Sequence, residues 1–195
     1  MRRVCYGVAM SLDGYIAGPR GEYDWIVMDP DIDFKALMDR FDTFLVGRKT
    51  YETMAAQGQG GWTPGIEHVV FSRTLDPAAH PGLRIVSRGA RAAVLALKEK
   101  PGKEIALFGG GELFRSLLAE GVVDTVEVAV LPVLLGGGIP LLPSPGPRAR
   151  LKLTRHRHYK KTGTVLLEYE VLGPPARGRS RRRSRPPSRP QRSAR

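Results

Sequence analysis

The sequence predicts an α/β fold: a largely parallel central sheet with helices on both faces, closed by an antiparallel C-terminal hairpin. Three observations carry this. Short, nearly continuous apolar runs recur, each bounded by Gly, Pro, Asp or Ser. Segments with helical apolar spacing lie between them, and after Asp124 the pattern changes to longer, alternating strands.

Val4–Met10 is the first run, apolar on both faces as a buried strand requires, and Ser11 and Asp13 end it. Phe34, Leu37, Met38 and Phe41 follow with helical spacing, and Thr43–Val46 is the next strand. His68–Phe71 and Leu83–Val86 repeat the strand pattern. A helix carrying Val94, Leu95 and Leu97 leads to the strand Ile105–Phe108, and Leu113, Phe114, Leu117 and Leu118 mark another helix. Strands alternating with helices imply right-handed crossovers and parallel pairing. From Asp124 a strand runs through Val130, and Leu151–Tyr159 and Thr164–Val171, joined by Lys161, Thr162 and Gly163, form a hairpin. In Arg155-His156-Arg157-His158 the pattern is that of a solvated edge strand, which discourages edge pairing.

The chain has 195 residues, 42% hydrophobic, enough for one domain with a core. Its net charge of +12 is uneven: residues 173–195 hold nine Arg and no Lys, Asp or Glu, leaving +3 on residues 1–172. That tail also has five Pro, four Ser and no aromatic or β-branched residue, so residues 1–172 are expected to form the domain and 173–195 to lack ordered structure. One cysteine, Cys5, excludes a disulfide framework and points to a cytoplasmic chain. No apolar run reaches the length of a membrane-spanning helix. His68, His80, His156 and His158 show no metal-ligand spacing, so no metal is implied.

Glycine-bearing and cationic turns follow the strands. Phe108-Gly109-Gly110-Gly111-Glu112-Leu113-Phe114 runs from a strand into a helix, aiming free N–H groups at whatever occupies the turn; it suits a pyrophosphate, or serves as a tight turn without a ligand. Gly47-Arg48-Lys49-Thr50-Tyr51-Glu52 combines two cations and a hydroxyl at a helix start, suited to a phosphate monoester, with Thr50 as an N-cap and solvated Arg48 and Lys49 as the structural alternative. Ser72-Arg73-Thr74 is a further polar, cationic strand end. The Gly-x-Gly-x-x-Gly of a Rossmann site is absent.

Together these turns, with Pro64-Gly65, resemble the dihydrofolate reductase fold in order and spacing. Ser11-Leu12-Asp13-Gly14-Tyr15-Ile16-Ala17 and Pro132-Val133-Leu134-Leu135-Gly136-Gly137-Gly138-Ile139-Pro140-Leu141 bring the chain closer to the bacterial dihydrofolate reductase-like group. That group shares the fold of the C-terminal reductase domain of the riboflavin biosynthesis protein RibD. The resemblance covers about residues 3–171.

It implies a three-layer fold with an eight-stranded, mostly parallel sheet and NADPH across the carboxyl ends of the strands. Arg48, Lys49, Thr50, Ser72 and Arg73 would surround the ribose phosphate, with Gly47 at the turn. Gly109, Gly110, Gly111, Glu112 and Leu113 would approach the pyrophosphate and nicotinamide, Gly109-Gly110 joined by a cis peptide, while Ala9 and Ile16 would line the nicotinamide pocket. The implied reaction is hydride transfer to a small flat heterocycle, pterin-like or pyrimidine-like. Asp31, with Asp33 as fallback, would anchor the ring from a helix N-terminus, helped by Phe34 and covered by Trp25; Asp13 and Asp24 fall to loop and capping duties.

Two departures argue against true dihydrofolate reductase activity: Phe114 replaces a Tyr, and Gly136-Gly137-Gly138 replaces a segment that supplies a Thr to the acid. The riboflavin-type likeness departs too, for no Asn-Pro-x-Leu segment follows the second helix and no deaminase domain precedes the reductase-like one. The resemblance also implies a homodimer, with Val126–Leu135 packing against its copy. A different class of function, a nucleic-acid-associated protein binding through the Arg-rich tail, is the competing expectation, and such binding would be salt-sensitive and sequence-blind.

Overall fold

The computed structural model describes residues 1–56, 65–80 and 82–173. Pro64 and the tail beyond Gly173 lie outside the described residues. The described part holds ten strands: β1 (Val4–Ser11), β2 (Tyr15–Ala17), β3 (Phe41–Gly47), β4 (Glu67–Phe71), β5 (Arg84–Val86), β6 (Glu104–Gly109), β7 (Thr125–Leu131), β8 (Ile139–Pro140), β9 (Arg150–His158) and β10 (Val165–Leu172). Helices are α1 (Phe34–Met38), α2 (Arg48–Met54), α3 (Ala90–Glu99) and α4 (Gly111–Ala119).

Eight strands form one sheet in the order β5-β4-β3-β6-β1-β7-β10-β9, and β2 pairs with β8 in a small second sheet. The first six are mutually parallel, and β10, antiparallel to both β7 and β9, alone runs against the rest. The carboxyl ends of β1, β3, β4 and β6 therefore open on one edge, where a ligand of an open α/β sheet binds.

Alternation along the strands separates two apolar layers. Val4 and Tyr6 of β1, Leu45 of β3, and Ile105 and Leu107 of β6 join Val94 and Leu97 of α3 and Phe114 and Leu117 of α4 in the larger core. Burying each such side chain contributes about 1.5–3 kcal/mol. On the opposite face Cys5, Phe41, Phe44, Val46 and Ala106 pack under Met38 of α1 and Tyr51 of α2.

The sequence placed these elements with two corrections. Phe41 opens β3 rather than closing α1: the helix ends at Asp39, and the Phe41 ring is buried edge-on against Phe44. β7 lies inside the sheet between β1 and β10, with Val126 and Val128 in the core, while Leu134 beyond its end is exposed. β9 is one edge of the sheet and is exposed at every residue, as its charged pattern predicts. β2 and β8 were not anticipated, because three- and two-residue strands leave no periodicity. Among the described residues no helix is long and apolar enough to cross a membrane.

Candidate active site

The parallel register brings the glycine turns together. Val46 pairs with Gly109, and Gly47 with Phe71. A Cβ built on Gly109 would fall 2.6 Å from Thr50 Cγ2, and one on Gly47 would lie 3.6 Å from both the Gly109 carbonyl and Leu113 Cβ. The starts of α2 and α4 are thus in contact, with Thr50 filling the space that a side chain at Gly109 would need.

That contact corrects two expectations. Thr50 is not the N-cap of α2; Gly47 is, and no side chain caps that helix. Gly109-Gly110 is a trans peptide, the cis bond among the described residues being Ser144-Pro145. The sharp entry into α4 comes instead from Gly110, at φ +86°, a conformation glycine adopts without Cβ strain. α4 also lacks a side-chain cap at Gly110, so its first N–H groups are not used by a capping side chain. Gly111 is buried; a Cβ there would meet the Pro140 carbonyl at 2.9 Å.

Around this turn the charged candidates differ in freedom. Both oxygens of Glu52 accept from Arg48 Nη1, at 2.8 and 2.9 Å, in an exposed i,i+4 pair. Ser72 is buried and its hydroxyl accepts from the N–H groups of Thr74 and Leu75, which fixes the turn after β4. Lys49 and Arg73 are exposed and have no ion pair among the described residues. Glu112 is exposed and pairs with Arg115.

Beside the glycine turns lies the end of β1. Extending the β1–β6 register from Tyr6 and Leu107 sets Val8 and Ala9 against Gly109 and Gly110. Ile16 is in β2, which is stitched to the loop after β7: Leu12 N–H donates to Val133 O, and Leu141 N–H to Gly14 O. Asp13 holds this loop, accepting from Ser11 Oγ at 2.6 Å and from the Leu135 and Gly136 N–H groups. The Ser11 hydroxyl first, and those N–H groups after it, keep the Asp13 carboxyl below its ordinary range. Its loop duty is the expected one.

Sequence reasoning missed a slot on the α1 side of the sheet. Gly7 is exposed although β1 is central, and a Cβ there would meet nothing within 4 Å. Phe108, next to it on β6, is 39% exposed and stacks on Phe44 with centroids 5.0 Å apart. α1 has no fully buried residue and Phe34 at its start is exposed, so this helix meets the strands through its end, at Met38. Glu127, paired with Gly7 in register, is buried; Arg40 Nη1 donates to Oε2 at 2.9 Å and Nη2 to Oε1 at 2.7 Å. Burial pushes the Glu127 carboxyl up, but the Arg40 fork outweighs it and holds the acid below its ordinary range. The signal for this slot was a glycine in the middle of an apolar strand.

The predicted anchor lies at the surface. Asp31 is exposed and accepts from Lys161 Nζ at 2.7 Å, and it is Asp33 that caps α1, accepting from Ala36 N–H. Asp29, two residues before Asp31, is fully buried and accepts from Thr162 N–H and hydroxyl, both at 2.9 Å. Burial raises the Asp29 carboxyl, but the N–H of Asp31 and the Thr162 donors outweigh it and lower it. Phe114 is a core residue stacked on Tyr6, with ring centroids 3.9 Å apart. Trp25 is half-buried with its indole N–H on the Glu22 carbonyl, and Asp24 is exposed.

A model of the RibD C-terminal domain family matches residues 2–165. The uncharacterized protein YyaP of Bacillus subtilis (strain 168) is 32% identical over 183 residues, 88% of this chain and 96% of that protein. A putative riboflavin biosynthesis protein from Shewanella sp. PV-4 superimposes with a TM-score of 0.73 at 25% identity, over 89% of this chain and 100% of that one. Dihydrofolate reductase from Enterococcus faecalis, solved with NADP(H) and RAB-propyl, gives 0.61 at 17% identity over 88% and 97%. The fold is therefore dihydrofolate reductase-like.

Proposed function

This chain belongs to the RibD C-terminal domain family, and from that premise we propose that it is an NADPH-dependent reductase of a small flat heterocycle, pyrimidine-like or pterin-like. The observation that carries this is the meeting of the α2 and α4 starts at the carboxyl ends of β3 and β6, beside the slot over Gly7.

The residues fit the cofactor. Gly110 and Gly111 bring backbone close to the uncapped start of α4, where N–H groups and helix dipole favour a pyrophosphate. Arg48, Lys49 and Arg73 would hold the ribose phosphate, Arg48 by turning from Glu52, with Ser72 and Thr50 keeping their turns in shape. Ala9, Ile16 and Leu113 would wall the nicotinamide. When bound, NADPH supplies the hydride; the protein supplies orientation, water exclusion and charge.

The heterocycle would lie flat over Gly7 with Phe108 at its side. Two carboxylates are candidates for its N–H groups: Asp31, after leaving Lys161, and Glu127 at the floor, whose ionised state Arg40 maintains. An ionised acceptor makes the stronger hydrogen bond. A symmetric homodimer remains part of the proposal.

Fluorescence titration tests the cofactor assignment. NADPH should bind much more tightly than NADH, and Arg48→Ala should weaken NADPH by roughly ten- to a hundredfold, the worth of one charge-assisted bond, with NADH unchanged. Equal affinities in the wild type defeat it. NADPH oxidation with dihydrofolate should be weak or absent. Comparing Asp31→Asn with Glu127→Gln for binding of a pyrimidine or pterin ring identifies the anchor: the variant that loses affinity carried it.

A further inference from the structure

Charge is segregated along this chain. Residues 1–149 hold 16 Lys+Arg against 17 Asp+Glu, whereas residues 150–195 hold 15 against 2. The whole positive excess begins where β9 begins.

β9 is an edge strand exposed on every residue. Its register sets Lys152 opposite Glu170, Arg155 opposite Glu168 and Arg157 opposite Leu166, so these three cations share one face of the sheet. Arg155 pairs with Glu168 at 3.4 Å and Arg157 lies over the Tyr159 ring at 4.5 Å, so the acids of β10 offset one of the three cations, and Lys152 and Arg157 have no ion pair among the described residues. Lys160 extends it into the hairpin turn. β10 ends with Leu172 beside Arg150, so the chain leaves the sheet at the other end of the same edge and continues into the nine arginines of residues 173–195.

We propose that the β9 edge is a docking surface for the phosphate backbone of double-stranded nucleic acid, which it binds without reading sequence. Nine residues of strand span roughly 30 Å, and cations strung over that length, with no concave cradle, match a polymer of charges rather than one anion. A duplex presents one negative charge per about 1.7 Å of axis. A second copy is disfavoured as occupant, because antiparallel pairing of two β9 edges would set Arg and Lys against each other. A membrane surface is disfavoured because the exposed leucines of this strand, Leu151 and Leu153, lie opposite Val171 and Tyr169 on the other face, so cations and apolar groups do not form one amphipathic layer.

The test uses the full-length chain and a short labelled duplex, read by fluorescence polarisation between about 50 and 200 mM salt. The wild type should bind, with affinity falling steeply as salt rises. The triple variant K152Q/R155Q/R157Q should give a log–log salt slope shallower by about 2.7, roughly 0.9 for each phosphate no longer neutralised, with an unchanged thermal transition. If the triple variant fails to fold, R157Q alone serves, with a slope shallower by about 0.9. The proposal is overturned if the wild type does not bind at low salt, if the folded variants keep the wild-type slope, which would leave the tail acting alone, or if vesicles rich in phosphatidylserine bind more tightly than the duplex.

Discussion

Gly109 has no room for a methyl group. Thr50 Cγ2 occupies the position 2.6 Å from where a Cβ would stand, so Gly109→Ala should cost about 1–3 kcal/mol by overpacking, and G109A/T50A should recover most of it. Thermal unfolding of the two variants checks this, and an undisturbed G109A would mean that the turns are not packed as described. The reverse holds at Tyr6, whose hydroxyl is buried with no hydrogen-bond partner among the described residues. Burial pushes that phenol's pKa up and keeps it neutral, and an unpaired buried polar group costs about 1–3 kcal/mol. Tyr6→Phe keeps the stack on Phe114 and should raise the melting temperature by a few degrees, at about 2–4 °C per kcal/mol for a chain of this size. A lower melting temperature would show that the hydroxyl has a partner.

At the level of elements, the segment before α1 is held to the β9–β10 turn by a clip. Asp29 binds Thr162, the Thr162 hydroxyl is 2.8 Å from that of Thr164, and Lys161 closes on Asp31 outside. The Asp29 carboxyl is lower in the folded state than its ordinary value. Its ionisation therefore stabilises the fold fully above the unfolded carboxylate range, near about 3.9, and that stability is lost as pH falls through the lower, folded value. Melting curves of wild type and Asp29→Asn should be well separated at neutral pH and converge in acid. A gap that stays constant with pH would remove ionisation from the account.

For the whole molecule, the folded part is nearly neutral before β9, and the core clusters, Val171 the last of their members, draw on residues that precede the tail. Ending the chain at Gly173 should leave the thermal transition and NADPH affinity unchanged. Loss of either would place residues 174–195 within the fold. Light scattering should give twice the 21.4 kDa chain mass if the proposed homodimer forms.

The sequence by itself determined the sheet and its direction. Val4–Met10, Ile105–Phe108 and the runs between them are apolar on both faces, which only a strand covered by helices on each side tolerates, and crossovers through helices make such strands parallel. It also marked Gly109-Gly110-Gly111 and Gly47-Arg48 as turns at strand ends, because glycine and charge interrupt apolar runs locally. Tertiary structure alone decided what those turns meet. Thr50 against Gly109 is a meeting of residues about sixty apart, and the Asp29–Thr162 clip spans 133 positions. Pairings of that separation leave no local pattern: they follow from register, which chain periodicity does not encode. For the same reason nothing in the sequence singled out Glu127, which packing sets beside the open space over Gly7, while Asp31 lies on the surface with Lys161.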